Sequence, residues 1–434
     1  MKRAILVSLL LFVQEGMAAA VSADGSEDEP AASPPADVLR RLWTDARASW
    51  TVRLDYFRSD RELNDKTDFF GATTQIKLLP SLGANLDGKL EARLTNPDLG
   101  DHGKTKLALL EGYLAWHIGK ADVRLGRQIV PWGRADGINP TDNLTPRDYK
   151  VLLPFEEDQR FGLWALKADY ALTPDYTLTA FTTPWFESEK VPLTGPAIAD
   201  RRPVSSLANT EFAFKLNRTG GAVDWSLSYF HGYSPLASAH LPAAGENGPS
   251  LELRYDKIDV VGADFARNFG RYGFRGELAY FFTGDRNGHD PFVKNPYLFV
   301  VLGEDRTFFD NLNINLQFVG RWVSHYSDPG DVADPLIRQV SELNALAAGQ
   351  QDRVSYGLSS RIGKKWFNDT LEAEILLFAD FTRSSAYIRP LVTYALADHV
   401  KCTVGADLYT GASQTVFGQL KRNQGVFVEM RYSF

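Results

Sequence analysis

The chain has 434 residues, 44% of them hydrophobic and 23% charged, and a formal charge of −7. Beyond its first fourteen positions it holds no run of about eighteen apolar residues, which excludes a bundle of membrane-spanning helices. The acidic balance argues against a nucleic-acid partner, and the single cysteine, Cys402, excludes an intrachain disulfide.

The amino end reads as a processing segment. Lys2 and Arg3 precede a short apolar core at 4–13, and small-residue cleavage patterns follow at 18–20 and 21–23. This is the layout of a secretory signal and is too short to span as a helix. Residues 1–23 are therefore expected to be removed. Residues 24–48 begin acidic and rich in Pro and Ala, the composition of a disordered periplasmic leader. One or two helical turns are expected at 38–46, with Asp37 as cap.

From residue 49 to 434 the pattern has period two, because strand side chains alternate between faces. Trp50, Val52, Leu54 and Tyr56 oppose Thr51, Arg53 and Asp55. Segments at 70–79 and 84–95 follow; the second places Leu86, Leu90, Ala92 and Leu94 opposite Asp87, Lys89, Glu91 and Arg93. Four charges on one strand face are costly in a dry core and natural in a water-filled lumen. Further segments fall at 107–118, 121–130, 160–171, 176–183, 210–217, 222–233, 257–267 and 272–283. The remainder are 296–306, 311–323, 353–362, 370–381, 386–396, 400–409 and 423–434. The pattern predicts an all-β fold: a transmembrane antiparallel β-barrel of roughly eighteen strands, within two either way.

The connections alternate short and long, as expected for short periplasmic turns and long extracellular loops. One long-side connection, 382–385, is short. Trp50, Trp116, Trp225 and Trp322 lie near strand ends on the apolar parity, where an aromatic girdle belongs. In the loop at 334–349, Leu336, Val340, Leu343 and Leu346 are at helical spacing and Gly349 is a stop, which predicts a short helix at the mouth. In the last segment Val426, Val428, Met430, Tyr432 and Phe434 share one face, opposite Phe427, Glu429, Arg431 and Ser433. It resembles the closing strand of bacterial outer-membrane barrels. By that resemblance Met430, Tyr432 and Phe434 are a closure signal read by the barrel assembly machinery.

A barrel of this size leaves an aqueous channel. The inward parity collects charges of both signs, among them Arg124, Arg275, Glu277, Arg321, Arg361 and Arg389. The signs nearly balance, so no ring of one sign sets an ion preference. Many of these charges are expected to pair across strands and stiffen the wall. The densest chemistry lies at 124–150, where a strand end, Gly126-Arg127-Gln128, turns at Pro131-Trp132-Gly133-Arg134 into a long loop. The loop carries Asp136, Asp142, Arg147 and Asp148 and is stiffened by Pro140 and Pro146. A stiff polar loop of this length is expected to fold into the pore.

The motif G-R-Q-x-V-x-W-G with N-P-x-D and T-P-R-D resembles the outer-membrane porin-like families typified by the DUF1302 group. It is more loosely similar to the alginate-export barrels, which share the G-R-Q strand end. The resemblance implies an outer-membrane channel with an inward loop. The residues expected to set selectivity are Arg124, Arg127, Arg134, Asp136, Asp142 and Arg147, with Arg275, Glu277, Arg321, Arg361 and Arg389 on the wall.

The expected function is passive passage of small polar or charged solutes, with outer-membrane lipid as surroundings and a homotrimer left open. The alternative is a loop-plugged barrel that binds or docks to an export system. An enzyme is not expected: His325-Tyr326-Ser327 has the spacing of outer-membrane phospholipases but lies beyond a strand end. Neither a cofactor nor a metal is expected, since the histidines lack ligand spacing and the 136–143 oxygens do not form a calcium loop.

Overall fold

A computed structural model describes residues 46–59, 67–100, 104–151, 153–191, 198–241, 251–309 and 311–434. The expected signal at 1–23 and all but the last residues of the leader lie outside the described residues.

Eighteen long strands follow in order. They are β1 (Ser49–Ser59), β2 (Asp68–Leu78), β3 (Leu86–Asn96), β4 (Lys106–Ile118), β5 (Ala121–Gln128), β6 (Leu163–Ala171), β7 (Tyr176–Thr183), β8 (Glu211–Arg218) and β9 (Asp224–Tyr233). Then come β10 (Lys257–Phe269), β11 (Tyr272–Thr283), β12 (Tyr297–Phe308), β13 (Leu312–Val323), β14 (Val354–Trp366), β15 (Leu371–Asp380), β16 (Ser385–Ala397), β17 (Val400–Thr410) and β18 (Gly425–Ser433). Each pairs antiparallel with the next. β18 returns to β1, with Thr51 opposite Ser433, Asp55 opposite Glu429 and Ser59 opposite Gly425. The sheet is thus a closed barrel with no free edge, the only sheet that satisfies its backbone in lipid. Trp50 and Phe434 complete the seam by exchanging backbone hydrogen bonds of 2.9 Å. Their rings pack 6.4 Å apart, beside Tyr432.

The period-two pattern sets the two faces. Leu54, Ile76, Leu90, Leu125, Leu166, Val261, Val404 and Met430 stand exposed on the outer face. Arg53, Asp55, Arg93, Glu277, Arg389 and Glu429 are buried inside. An apolar exterior over a polar interior is stable in lipid and unstable in water. In β4 one extra residue interrupts the register between Glu91–Glu111 and Ala92–Leu109, so Leu110 and Glu111 both turn inward.

The described parts of the long loops carry structure of their own. The helix α1 (Pro335–Ala348) begins at Asp334, whose side chain accepts from the Leu336 and Ile337 amides, and stops at Gly349. A small sheet, not foreseen from the sequence, joins three loop segments: Glu252–Arg254 runs parallel to Ala199–Arg201 and antiparallel to Ser238–His240. Asn344 of α1 ties onto it, accepting from the Ala239 amide and donating to the Ala239 carbonyl, both at 2.8 Å. These elements make a cap at the long-loop end.

Candidate functional site

The loop joining β5 to β6 enters the barrel and is fastened to the wall on many sides. Its main anchor is Glu277 of β11. One carboxylate oxygen accepts from the amides of Arg134 at 2.6 Å and Ala135 at 2.7 Å, and from Asn139 Nδ2 at 2.9 Å. The other accepts from the Thr141 amide at 3.1 Å and its hydroxyl at 2.8 Å. A carboxyl group that accepts from five donors is a strong, directional hold. The close approach requires Gly133: at φ 94° it is in a glycine conformation, and a Cβ there would lie 2.5 Å from the Glu277 carboxylate. The Trp-Gly-Arg and Asn-Pro-Thr-Asp runs are thus two sides of one clamp.

Further contacts carry the loop across the lumen. Arg134 donates from Nε to Asp264 Oδ1 on β10 and from Nη2 to Asn217 Oδ1 on β8, both at 2.6 Å. The Asp136 backbone exchanges hydrogen bonds with the Gln317 side chain of β13, and its carboxylate accepts from Arg361 Nε of β14 at 2.9 Å. Asp142 works within the loop, accepting from the Trp132 amide at 3.0 Å and from Arg160 at 2.5 Å, with Arg147 4.0 Å away. Asp158 accepts from Arg53 at 2.5 Å and Arg93 at 3.1 Å, so two guanidinium groups of β1 and β3 converge on one buried carboxylate. Arg389 of β16 grips Asp407 with two nitrogens and donates to the Pro154 carbonyl at 2.8 Å.

On one side the loop is not surrounded by water at all. Val130, Trp132 and Leu144 pack into a buried apolar cluster with Leu163, Ala165, Phe181, Ala213, Phe230, Ile258, Val260, Ala279 and Phe281. Those wall residues come from β6 to β11. That side of the lumen is a packed core of the kind found in globular proteins. On the other side, beside β13 to β16, two cavities remain. An inner one of about 320 Å³ is lined by Asp136, Arg147, Glu156, Arg361, Phe378 and Phe417 among others. An outer one of about 220 Å³ is lined by Arg321, Asp352, Asp380, Arg383, Phe378 and Phe417 among others.

The residues singled out from the sequence separate into groups. Arg134, Asp136, Asp142, Arg147, Glu277, Arg361 and Arg389 are brought together by the inward loop. Arg275 pairs with Asp305 at 3.2 Å and meets no part of the loop. Arg124 lies 5.5 Å from the Tyr113 ring centre, also clear of the loop. Arg321 donates to the carbonyls of Ala348 at 2.5 Å and Gly349 at 2.9 Å, so it holds the end of α1. Arg127 shares the outer-face parity of Leu125 and lies 3.6 Å from Glu187 of the next long loop. Met430, Tyr432 and Phe434 stand on the outer face at the seam. The expected cross-strand pairing of lumen charges is present in part, as in Lys89–Glu111 and Arg389–Asp407, but much of the charge holds the loop. Asp158, Asp264, Gln317 and Arg160 were not singled out for the site. Their only sequence signal is inward or loop placement, which many polar residues share.

The cap has its own buried chemistry. Lys294, in the loop after β11, donates to the Ser234 hydroxyl and, at 3.1 Å, to the Leu236 carbonyl. Burial pushes its pKa down to about 8, against the pull of Asp256 and Glu189. Burial likewise raises the Glu189 carboxyl above its ordinary range.

Solved structures share the fold at low identity. Acinetobacter baumannii OccAB4 is 9% identical with a TM-score of 0.54, over 89% of this chain and 97% of that one. Pseudomonas aeruginosa OccK1 (OpdK) is 10% identical with a TM-score of 0.52, over 89% and 98%. Pseudomonas aeruginosa OccK8 (OprE) is 11% identical with a TM-score of 0.52, over 89% and 97%. These likenesses establish a porin-like barrel. No curated protein matches the sequence. A family model matches residues 41–434, and the chain therefore belongs to the family described as "Protein of unknown function (DUF1302)".

Proposed function

We propose that the protein is an outer-membrane channel through which small polar or charged solutes pass passively, along the side of the lumen that the inward loop leaves unfilled. One observation carries this reading: the loop packs dry against β6–β11, yet cavities with charged side chains in their lining persist between it and β13–β16. A barrel built only to be sealed has no need of that asymmetry. The apolar outer face and the aromatic seam at Phe434 support residence in an outer membrane, reached by the assembly machinery after removal of 1–23. The residues assigned to the passage are Arg147, Asp136 and Arg361. Arg134, Asp142, Glu277 and Arg389 position the loop that bounds it.

The test is conductance of the refolded protein in a planar bilayer under a salt gradient. Stable unitary steps are expected, with a reversal potential near zero because lumen charges of both signs line the passage. Deleting 131–159 is expected to enlarge the steps. Silence from a barrel confirmed to be folded would overturn the channel and favour a loop-plugged barrel that docks to an export system.

A further inference from the structure

The outer and inner cavities meet at the same three side chains, Ile138, Phe378 and Phe417. Ile138 belongs to the inward loop and Phe378 to the inner face of β15. Phe417 comes from the last long loop, 411–424, which turns back into the barrel mouth. Its ring is 5.6 Å from Phe378 at 62° and 6.1 Å from Tyr387 at 21°. Tyr387 in turn stacks on Tyr409 at 5.2 Å.

The turn that delivers Phe417 is rigidly built. Thr415 is only 2% exposed; its hydroxyl donates to the Ala412 carbonyl at 2.8 Å and accepts from the Gly418 amide at 3.0 Å. A Cβ on Gly418 would sit 1.7 Å from the Ala412 carbonyl oxygen, so no other residue fits. A loose loop tip would carry no such constraint. The fold holds an aromatic ring where the linings of the two cavities overlap.

The charges around the rings oppose each other. In the inner cavity Arg147 and Arg361 face Asp136 and Glu156. In the outer cavity Arg321 and Arg383 face Asp352 and Asp380. An ion of either sign meets its own sign on the wall, which disfavours it. A molecule with donors and acceptors but no net charge finds partners for both. Flat rings gain from offset or edge contacts with aromatic neighbours.

We propose that Phe417, with Phe378 and Ile138, is the selectivity gate of the passage, and that the paired cavities bind small ring-bearing polar solutes of no net charge. This deepens the channel reading and rests on it for the word gate; the binding site itself does not.

The experiment uses the full-length refolded barrel and four probes: L-phenylalanine, phenylacetate, phenethylammonium and L-alanine. The first three share a ring and differ in charge. The first and last share a charge state and differ in the ring. In the bilayer, L-phenylalanine is expected to interrupt the current at about tenfold lower concentration than any of the others. Phe417→Ala is expected to abolish that advantage and raise the unitary conductance. Phe378→Leu is a second variant, with a smaller loss, should the first fail to fold. Equal block by phenylacetate or phenethylammonium overturns the charge argument, and equal block by L-alanine overturns the ring. An unchanged ranking in both variants removes Phe417 and Phe378 from the gate. Calorimetric titration of the same probes into the detergent-solubilised barrel separates this from the channel reading. Ranked binding without conductance keeps the site and rejects the channel, whereas absence of L-phenylalanine binding rejects the site.

Discussion

Glu277→Ala is the sharpest perturbation of the inward loop. Five donors converge on that carboxylate, three of them backbone amides that have no other partner when it is gone. A hydrogen bond to a charged group contributes about 1.5–3 kcal/mol, and an unsatisfied buried donor costs about 1–3 kcal/mol. Glu277 is buried, but Arg134, Ala135 and Asn139 are half-exposed, so water entering the lumen recovers much of this. A net loss on the order of 3 kcal/mol remains, roughly a 150-fold shift toward the undocked segment. The Arg134 and Asp136 contacts persist, so the loop loosens locally around 134–141 and the barrel stays closed. Two assays follow. Single-channel recording should show larger, noisier open states, and amide hydrogen exchange at 134–141 should speed up in the folded variant by up to about that factor. Glu277→Gln, which keeps the shape but loses the charge and half the acceptor capacity, should fall between them. If conductance, noise and exchange all match the parent, the clamp neither holds the loop nor bounds the passage.

Other expectations are independent of that clamp. Gly133→Ala forces a Cβ against the Glu277 carboxylate from a conformation that disfavours it, so it should reproduce the noisier open states and faster exchange of Glu277→Ala with an intact carboxylate in place. Asp158→Asn removes the carboxylate shared by Arg53 and Arg93 and leaves Arg53 only Glu429, at 3.6 Å; a lost buried partner costs about 3–5 kcal/mol, read as a lower unfolding temperature on a heat-modifiability gel. In the cap, Lys294 has its folded pKa below its unfolded one, so the unfolded loop binds the extra proton and stability rises with pH between the two. Hydrogen exchange of α1 and 284–296, corrected for intrinsic rate, should show protection growing from about pH 8 to about 10.5, by up to about 3 kcal/mol. Lys294→Met should flatten that trend, and falling protection across the window would contradict it. Deleting Phe434 removes both backbone bonds to Trp50 and should lower the yield of closed barrel on refolding.

The barrel was legible because its signal is local. Alternation between lipid and lumen repeats in every strand, and turn residues punctuate it. The helix α1 was legible for the same reason, being written in the spacing of Leu336, Val340, Leu343 and Leu346 and in Gly349. The inward path of the loop was half legible: its prolines and polar density pointed inside, but Glu277, Gln317 and Arg361 lie more than a hundred residues downstream. Nothing local distinguishes those three from other inward polar residues. Arg127 illustrates a limit of motifs, since it shares the G-R-Q run with Gln128 but points the other way. Phe417 carried no signal at all, because its meaning depends on a turn folding back over Phe378 and Tyr387. The dry side of the lumen was hidden for another reason. Ala213, Val260, Ala279 and Phe281 look like ordinary strand residues until the loop is seen to lie on them.

That dry side divides the inner wall into positions with different tolerance for change. Along β6–β11 the inner side chains interlock with Trp132 and Leu144, so a change in volume at one position must be matched at several others. Along β13–β16, Gln317, Arg361 and Arg389 fasten the loop, while Ser359, Leu376 and Phe378 border open space. A substitution at one of those three changes what the cavities accept without removing an anchor. A lineage can therefore retune its solute at these few positions while inheriting the anchors between them unchanged.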